Sequence, residues 1–142
     1  MCSSDLLYAY LEPDRMPDRA ALQAAIRKLG IPLTVDEAWV PFQTTDYLPC
    51  TLEGEDAGVY VRFARDAALP EPAAALAGAR GARSAEVQLR WGGDKREELA
   101  ATLIAGALAD SFDALVLEPE RGVRKSTSGL KAHARELHEN TF

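Results

Sequence analysis

Apolar runs and alternating apolar and polar positions predict strands at several places in the chain. Residues 5–11, DLLYAYL, are apolar on both faces of an extended segment, which is typical of a central strand covered by helix. Residues 85–91 alternate between inward apolar and outward polar side chains, and residues 114–119 include a short apolar run. Residues 34–42 predict a further strand, which Pro41 confines to a sheet edge or ends.

A β-hairpin is predicted in the middle of the chain. Residues 47–53 and 58–63 are its two arms, and the polar segment GEDAG lies between them. In the second arm, apolar side chains at alternate positions face one side, while Tyr60 and Arg62 face the other. The alternation therefore predicts a strand with one buried face and one exposed face.

Helical periodicity is clearest in residues 17–30, PDRAALQAAIRKLG. Pro17 suits the first helical position, and Gly30 is placed to end the helix in the left-handed conformation. Apolar residues at helical spacing also cover residues 95–111. After the polar turn KSTSG, a weaker amphipathic pattern predicts a C-terminal helix over about residues 127–140.

The order of these elements predicts one domain over residues 1–142. Its first half, about 1–65, and its second half, about 84–120, each contain a strand–helix–strand pattern. An Ala-, Pro- and Gly-rich connector, about 66–83, joins them and predicts a short helix over roughly 72–78. We expect an α+β (or α/β) fold with a mixed sheet of about five to six strands and helices packed mainly on one face.

The segment RWGGDKREELA, residues 90–100, has the composition closest to that of a chemical site, because two glycines separate a predicted strand from a predicted helix. A phosphate would bind there at the helix N-terminus. However, Asp94 occupies the N-cap position, Glu97 follows as in a capping box, and Glu98 adds a third carboxylate. Three negative charges oppose an anion, so the sequence predicts a structural turn.

Composition and charge restrict the class of protein. The chain has 142 residues, of which 47% are hydrophobic and 27% are charged, values ordinary for a globular protein. It contains no apolar run long enough for a transmembrane helix, and its N-terminal segment lacks the basic residues of a secretory signal, so a cytoplasmic location and no membrane partner are expected. Cys2 and Cys50 have no metal-binding spacing. No cofactor or metal is expected.

Two further groups of residues have chemical potential. Glu118 and Glu120 follow an apolar strand, where carboxylates could act in acid–base catalysis, but no partner nucleophile or metal cluster is identifiable. His133 and His138 are five residues apart and so lie on different faces of a helix. The basic C-terminal stretch, residues 121–135, is expected to be solvated surface, and the alternative is that it holds a nucleotide or a nucleic acid.

The acidic residues are concentrated in the first half of the chain. Residues 1–71 hold twelve Asp and Glu against six Lys and Arg, which accounts for the whole net charge of −6. Acidic and aromatic side chains combine in and beside the predicted hairpin, and charged groups around aromatic residues are typical of protein interfaces. The predicted partner-binding residues are Asp46, Tyr47, Glu53, Glu55, Asp56 and Tyr60.

These patterns favour a small acidic domain that binds another protein with a basic surface. Small bacterial inhibitors and toxin-neutralising immunity proteins share this size and charge, which is an analogy and not a motif. The acidic charge disfavours binding to nucleic acid, which depends on neutralising phosphates. An enzyme that uses strand-end carboxylates, or a nucleotide or nucleic-acid binder that uses the basic stretch, remains the alternative.

Overall fold

The computed structural model describes residues 6–141, which contain nine strands and four α-helices. The strands are β1 (Leu6–Leu11), β2 (Leu33–Val35), β3 (Tyr47–Leu48), β4 (Cys50–Leu52), β5 (Glu55–Asp56), β6 (Val59–Arg65), β7 (Ala85–Arg90), β8 (Leu115–Glu118) and β9 (Val123–Lys125). The helices are α1 (Arg19–Lys28), α2 (Ala77–Arg80), α3 (Lys95–Phe112) and α4 (Thr127–Thr141).

Six strands form the main sheet, in the order β3-β6-β7-β1-β8-β9, and β2, β4 and β5 form a smaller sheet. Every pairing of neighbouring strands is antiparallel. The α+β class, the strand number and the central position of β1 are confirmed. The expected mixed sheet would contain some parallel neighbours. In the main sheet, all neighbouring strands are antiparallel.

One face of the main sheet carries most of the helical structure, as expected. Helix α3 packs across the strands, and α1 and α4 pack against α3. Leu99, Leu103 and Ile104 on α3 are fully buried in the core that these layers share. Short side chains on the same helix, among them Gly106, permit close packing, because they leave little volume between the backbones.

The opposite face of the main sheet is covered only in part. The connector between β6 and β7 lies over one end of it, where Ala73 packs with Tyr10, Leu115 and Leu117. The Tyr10 hydroxyl donates a 2.6 Å hydrogen bond to the buried carboxylate of Glu86. In the connector, the helix predicted over 72–78 is a 3₁₀ turn, Glu71–Leu76, followed by α2.

The predicted hairpin is present, but its turn includes only the first residue of GEDAG. Tyr47 pairs with Tyr60, and the same register continues to the pair Leu52 and Glu55. The turn therefore consists of Glu53 and Gly54, whose φ angles are 53° and 80°. Two-residue turns with positive φ match the twist of paired strands, so the strands extend through residues that the sequence predicted as loop.

The strand predicted over 34–42 is wrong beyond Val35. After β2, the Asp36 carboxylate accepts a 2.9 Å hydrogen bond from the backbone of Ala38 and turns the chain, as aspartate side chains commonly do. Trp39 is 1% exposed, and its indole donates to the Pro17 carbonyl at 3.1 Å. The turn at Asp36 and the burial of Trp39 together set the path of the segment.

Helix α1 begins at Arg19, two residues later than predicted. Asp18, not Pro17, precedes its first residue and caps it by accepting a 2.8 Å hydrogen bond from the Ala21 backbone. Gly30 has a φ of 83° just after the helix, as expected. Buried Gln23 fixes α1 to β2, because its amide donates to the Leu33 carbonyl and accepts from the Val35 backbone.

Candidate functional site

The RWGGD segment is a structural turn, as predicted. The Asp94 carboxylate accepts a 2.7 Å hydrogen bond from the Arg96 backbone and caps α3. Glu97 accepts a 3.0 Å hydrogen bond from the backbone of Gly92. In a capping box it would accept from the backbone of the N-cap residue, Asp94, instead. Gly93 has a φ of 96°, a conformation that glycine adopts at little cost. These side chains bind the donors that an anion would need.

The acidic residues at the tip of the hairpin have partners within the protein. Glu55 pairs with the Arg96 guanidinium on α3, and Glu53 lies 2.7 Å from Nε2 of His138 on α4. The hairpin tip is thus attached to the ends of two helices. Of the predicted carboxylates, Asp46 and Asp56 form no ion pair within the described residues.

The two predicted tyrosines lie together at the edge of the main sheet. Tyr47 and Tyr60 are directly opposite on β3 and β6, with ring centroids 5.4 Å apart and planes at 65°. They are 44% and 37% exposed. Gly58 makes room for this arrangement, since a Cβ at that position would overlap the Tyr47 ring.

Two carboxylates, those of Glu97 and Asp56, act on the hydroxyl of Tyr47. Partial burial, followed by the charges of Glu97 and Asp56, raises the pKa of Tyr47 above its ordinary value of 10.0. The hydroxyl therefore keeps its proton at neutral pH and can donate a hydrogen bond. Together, Asp46, Asp56 and Glu97 form an acidic margin beside the tyrosine pair.

Sheet register extends this site across the part of the main sheet that the connector leaves open. We call this region the uncovered face, and its residues are Leu6, Tyr8, Tyr60, Arg62, Gln88 and Arg90. The Arg90 guanidinium lies 4.4 Å from the centroid of the Tyr60 ring, within the range of a cation–π interaction. The tyrosine pair and the arginines thus form one continuous surface.

A cleft of about 310 Å³ lies on the uncovered face. Tyr8, Arg62 and Gln88 occupy neighbouring strands within it, and Thr45 and Asp46 line it as well. Burial, followed by the charge of nearby Glu86, raises the pKa of Tyr8, while Arg62 opposes this shift. The cleft thus contains a protonated hydroxyl and two guanidinium groups.

The strand-end carboxylate Glu118 belongs to a structural ion pair. It is 1% exposed and accepts 2.8 Å hydrogen bonds from both the backbone and the Nε of Arg121. Although burial alone raises the pKa of Glu118, these hydrogen bonds outweigh it and hold the pKa below the ordinary 4.5. The carboxylate stays ionised and stabilises the turn between β8 and β9.

The remaining candidate groups also have structural contacts. His133 on α4 lies 2.9 Å from a carboxylate oxygen of Glu98 on α3, and Lys131 in the basic stretch pairs with Asp110 at 3.0 Å. Both contacts join α4 to α3. Cys50 is buried in the core, and Cys2 lies outside the described residues. Within residues 6–141, no group of three or more His, Cys, Asp or Glu side chains is placed to hold a metal ion.

Comparisons of the chain with protein-family models, with curated proteins and with solved structures find no match. Among the described helices, none combines the length and apolarity that crossing a membrane requires. We infer a function from the geometry of the tyrosine pair and the uncovered face.

Sequence reasoning identified Tyr47, Tyr60 and Asp46 in this surface and missed Arg62 and Arg90 as part of it. The signal was present, because the alternation of β6 and β7 already places both arginines on outward faces. Which outward faces coincide depends on the register between strands far apart in sequence, and the sequence does not show that register.

Proposed function

We propose that this protein is a protein-binding domain whose contact surface is the tyrosine pair and the uncovered face beside it. The observation that carries the proposal is the exposed pair Tyr47 and Tyr60, continuous with the guanidinium of Arg90. Tyrosine and arginine are enriched among the residues that dominate binding energy at protein interfaces. A sheet with one solvated face has no structural need for such side chains there.

Charge favours a partner with a basic surface opposite the acidic margin. Asp46 and Asp56 have no ion pair within residues 6–141, and Glu97 lies close enough to Tyr47 to raise its pKa. Complementary charge speeds association and suppresses wrong partners. Inhibition of a basic protein, as by a toxin-neutralising immunity protein, is the specific function of this kind that we propose.

The proposal is tested by affinity capture from the native host, with the wild-type protein and with Tyr60→Ala as baits. Loss of the tyrosine ring removes the centre of the surface, so the captured protein should bind Tyr60→Ala with about 2 kcal/mol less free energy, roughly 30-fold weaker. Calorimetry with the purified partner measures this difference. Circular dichroism checks that the variant is folded.

The matched control is Val123→Ala, which truncates another exposed side chain, 41% accessible, on the opposite edge strand β9. Its affinity for the partner should equal that of the wild-type protein. The proposal is wrong if Tyr60→Ala binds the partner as tightly as the wild-type protein does, or if Val123→Ala weakens binding more than Tyr60→Ala does.

A further inference from the structure

We infer that the cleft between Arg62 and Arg90 binds a carboxylate side chain of the protein partner. This inference rests on the proposed function and adds the chemistry of one contact. The partner then carries an aspartate or glutamate beside its basic groups. The acidic margin and the cleft lie next to each other, so the two contacts together fix how the partner is oriented.

Strand register brings the two arginines together. Arg62 lies opposite Gln88 on β7, and Arg90 is two residues further along that strand, opposite Tyr60. Side chains related in this way are diagonal neighbours on one face of the sheet, about 7–8 Å apart at the backbone. This separation is within the reach of two long side chains that converge on a single group.

Neither arginine has an acidic partner within the described residues. Arg83, Arg96 and Arg121 each contact a carboxylate, whereas the contact of Arg90 is with the ring of Tyr60. Two guanidinium groups close to each other repel, and a carboxylate between them removes this repulsion. Asp46 lines the cleft, and the buried Glu86 carboxylate beside it already accepts hydrogen bonds from Tyr10 and Gln88. The two guanidinium groups are therefore the outward-facing positive charges of the cleft, and within the described residues neither has an ion pair.

The other polar groups of the cleft complete a site for a carboxylate. The Gln88 amide donates a 2.7 Å hydrogen bond to Glu86, which fixes its orientation. Tyr8 keeps a protonated hydroxyl that can donate to an anion. Guanidinium groups present paired N–H donors that match the two oxygens of a carboxylate, and a partner residue that enters from outside the sheet meets these donors together.

Peptide titration monitored by amide NMR tests the inference without the partner. The probes are acetylated and amidated hexaglutamate, the uncharged match hexaglutamine, hexalysine, and inorganic phosphate. Hexaglutamate should shift the amide signals of residues 60–62 and 88–90 with a millimolar dissociation constant, and hexaglutamine should not. The variant Arg62→Gln/Arg90→Gln should lose at least about five-fold in affinity for hexaglutamate.

The matched control changes the same charge elsewhere. Arg27→Gln/Arg135→Gln removes two exposed arginines from α1 and α4, and it should bind hexaglutamate like the wild-type protein. The inference is wrong if hexaglutamate leaves residues 60–62 and 88–90 unshifted, or if both double variants bind alike. It is also wrong if phosphate at the same concentration shifts these signals equally, which identifies a general anion site.

The two proposals fail separately. If Tyr60→Ala loses the captured partner while hexaglutamate leaves the cleft unchanged, the protein-binding function stands and the carboxylate site is wrong. If hexaglutamate binds the cleft while Tyr60→Ala keeps full affinity for the partner, the cleft binds carboxylates and the proposed binding surface is wrong. Hexalysine should shift the signal of Asp56, which lies outside the cleft, and leave those of Arg62 and Arg90 unshifted.

Discussion

Glu118 illustrates how single residues in this protein carry charge into the core for structural reasons. Its carboxylate is buried, and the hydrogen bonds from Arg121 lower its pKa despite that burial. Hydrogen bonds to a charged group stabilise a fold by about 1.5–3 kcal/mol. The burial of the Glu118 carboxylate is therefore explained by its contacts with Arg121, three residues along the chain.

This interpretation predicts the pH dependence of Glu118→Gln. At pH 7 the variant should unfold with about 1.5–3 kcal/mol less free energy than the wild-type protein. The folded pKa lies below the unfolded value of 4.5, so the stabilisation is present above that pH and is lost as the pH falls through the folded pKa. Urea unfolding at pH 7 and below 4.5 measures both differences. A gap that widens in acid contradicts the ion pair.

At the scale of elements, the connector and the turn after β8 support each other. Gly122 has a φ of 66°, and a Cβ there would overlap the backbone of Pro72 in the connector. The turn between β8 and β9 therefore contacts the connector backbone directly. This contact holds the connector on the sheet and determines where the uncovered face begins.

The contact predicts a large effect of Gly122→Ala. The left-handed backbone costs an alanine about 1–2 kcal/mol, and the overlap with the connector adds about 1–3 kcal/mol. Gly30→Ala is the matched control, since Gly30 has a φ of 83° and nothing within 4 Å of an added Cβ. It should lose only the backbone contribution. Equal losses of unfolding free energy in urea would show that the connector moves aside without cost.

Elements with a strong local signal could be predicted from the sequence, and those fixed by tertiary contacts could not. The apolar run of β1 and the helical period of α3 led to the right elements, because burial imposes those patterns directly. The segment around Trp39 was wrongly predicted as strand, because its course depends on an indole hydrogen bond to Pro17 that the sequence does not show. Strand β9, whose three residues are VRK, has no apolar pattern of its own.

The same limit applies to the candidate site. Tyr47 and Tyr60 could be predicted because they lie in the two arms of one hairpin, where sequence proximity implies contact. Arg90 joins them only through the pairing of β6 with β7, about thirty residues away in the chain. Glu53 and Glu55 were predicted to bind a partner protein, and their contacts with His138 and Arg96 could not be predicted because those residues lie on helices distant in sequence.

At the scale of the whole molecule, the net charge of −6 is not spread over one acidic surface. At the tip of the hairpin, Arg96 forms an ion pair with Glu55, and His138 lies within hydrogen-bond distance of Glu53. Of the hairpin carboxylates, Asp46 and Asp56 have no ion pair within residues 6–141, and they lie next to a cleft that contains two guanidinium groups. A surface of mixed sign distinguishes partners by their charge pattern, since like charges placed opposite each other oppose docking.

The acidic margin should therefore act on the rate of association with the partner. In Asp46→Asn/Asp56→Asn the attraction of basic groups is weaker, so association with the captured partner should slow several-fold at about 10 mM salt and much less at about 300 mM salt, where the Debye length is shorter. The dissociation rate should change less, because long-range attraction acts before contact. Surface plasmon resonance measures both rates.

The matched control is Glu53→Gln/Glu55→Gln, which removes the same charge from carboxylates already in contact with His138 and Arg96. Its association rate should stay closer to that of the wild-type protein. Equal slowing by the two double variants at low salt would show that net charge, and not the acidic margin, controls the encounter.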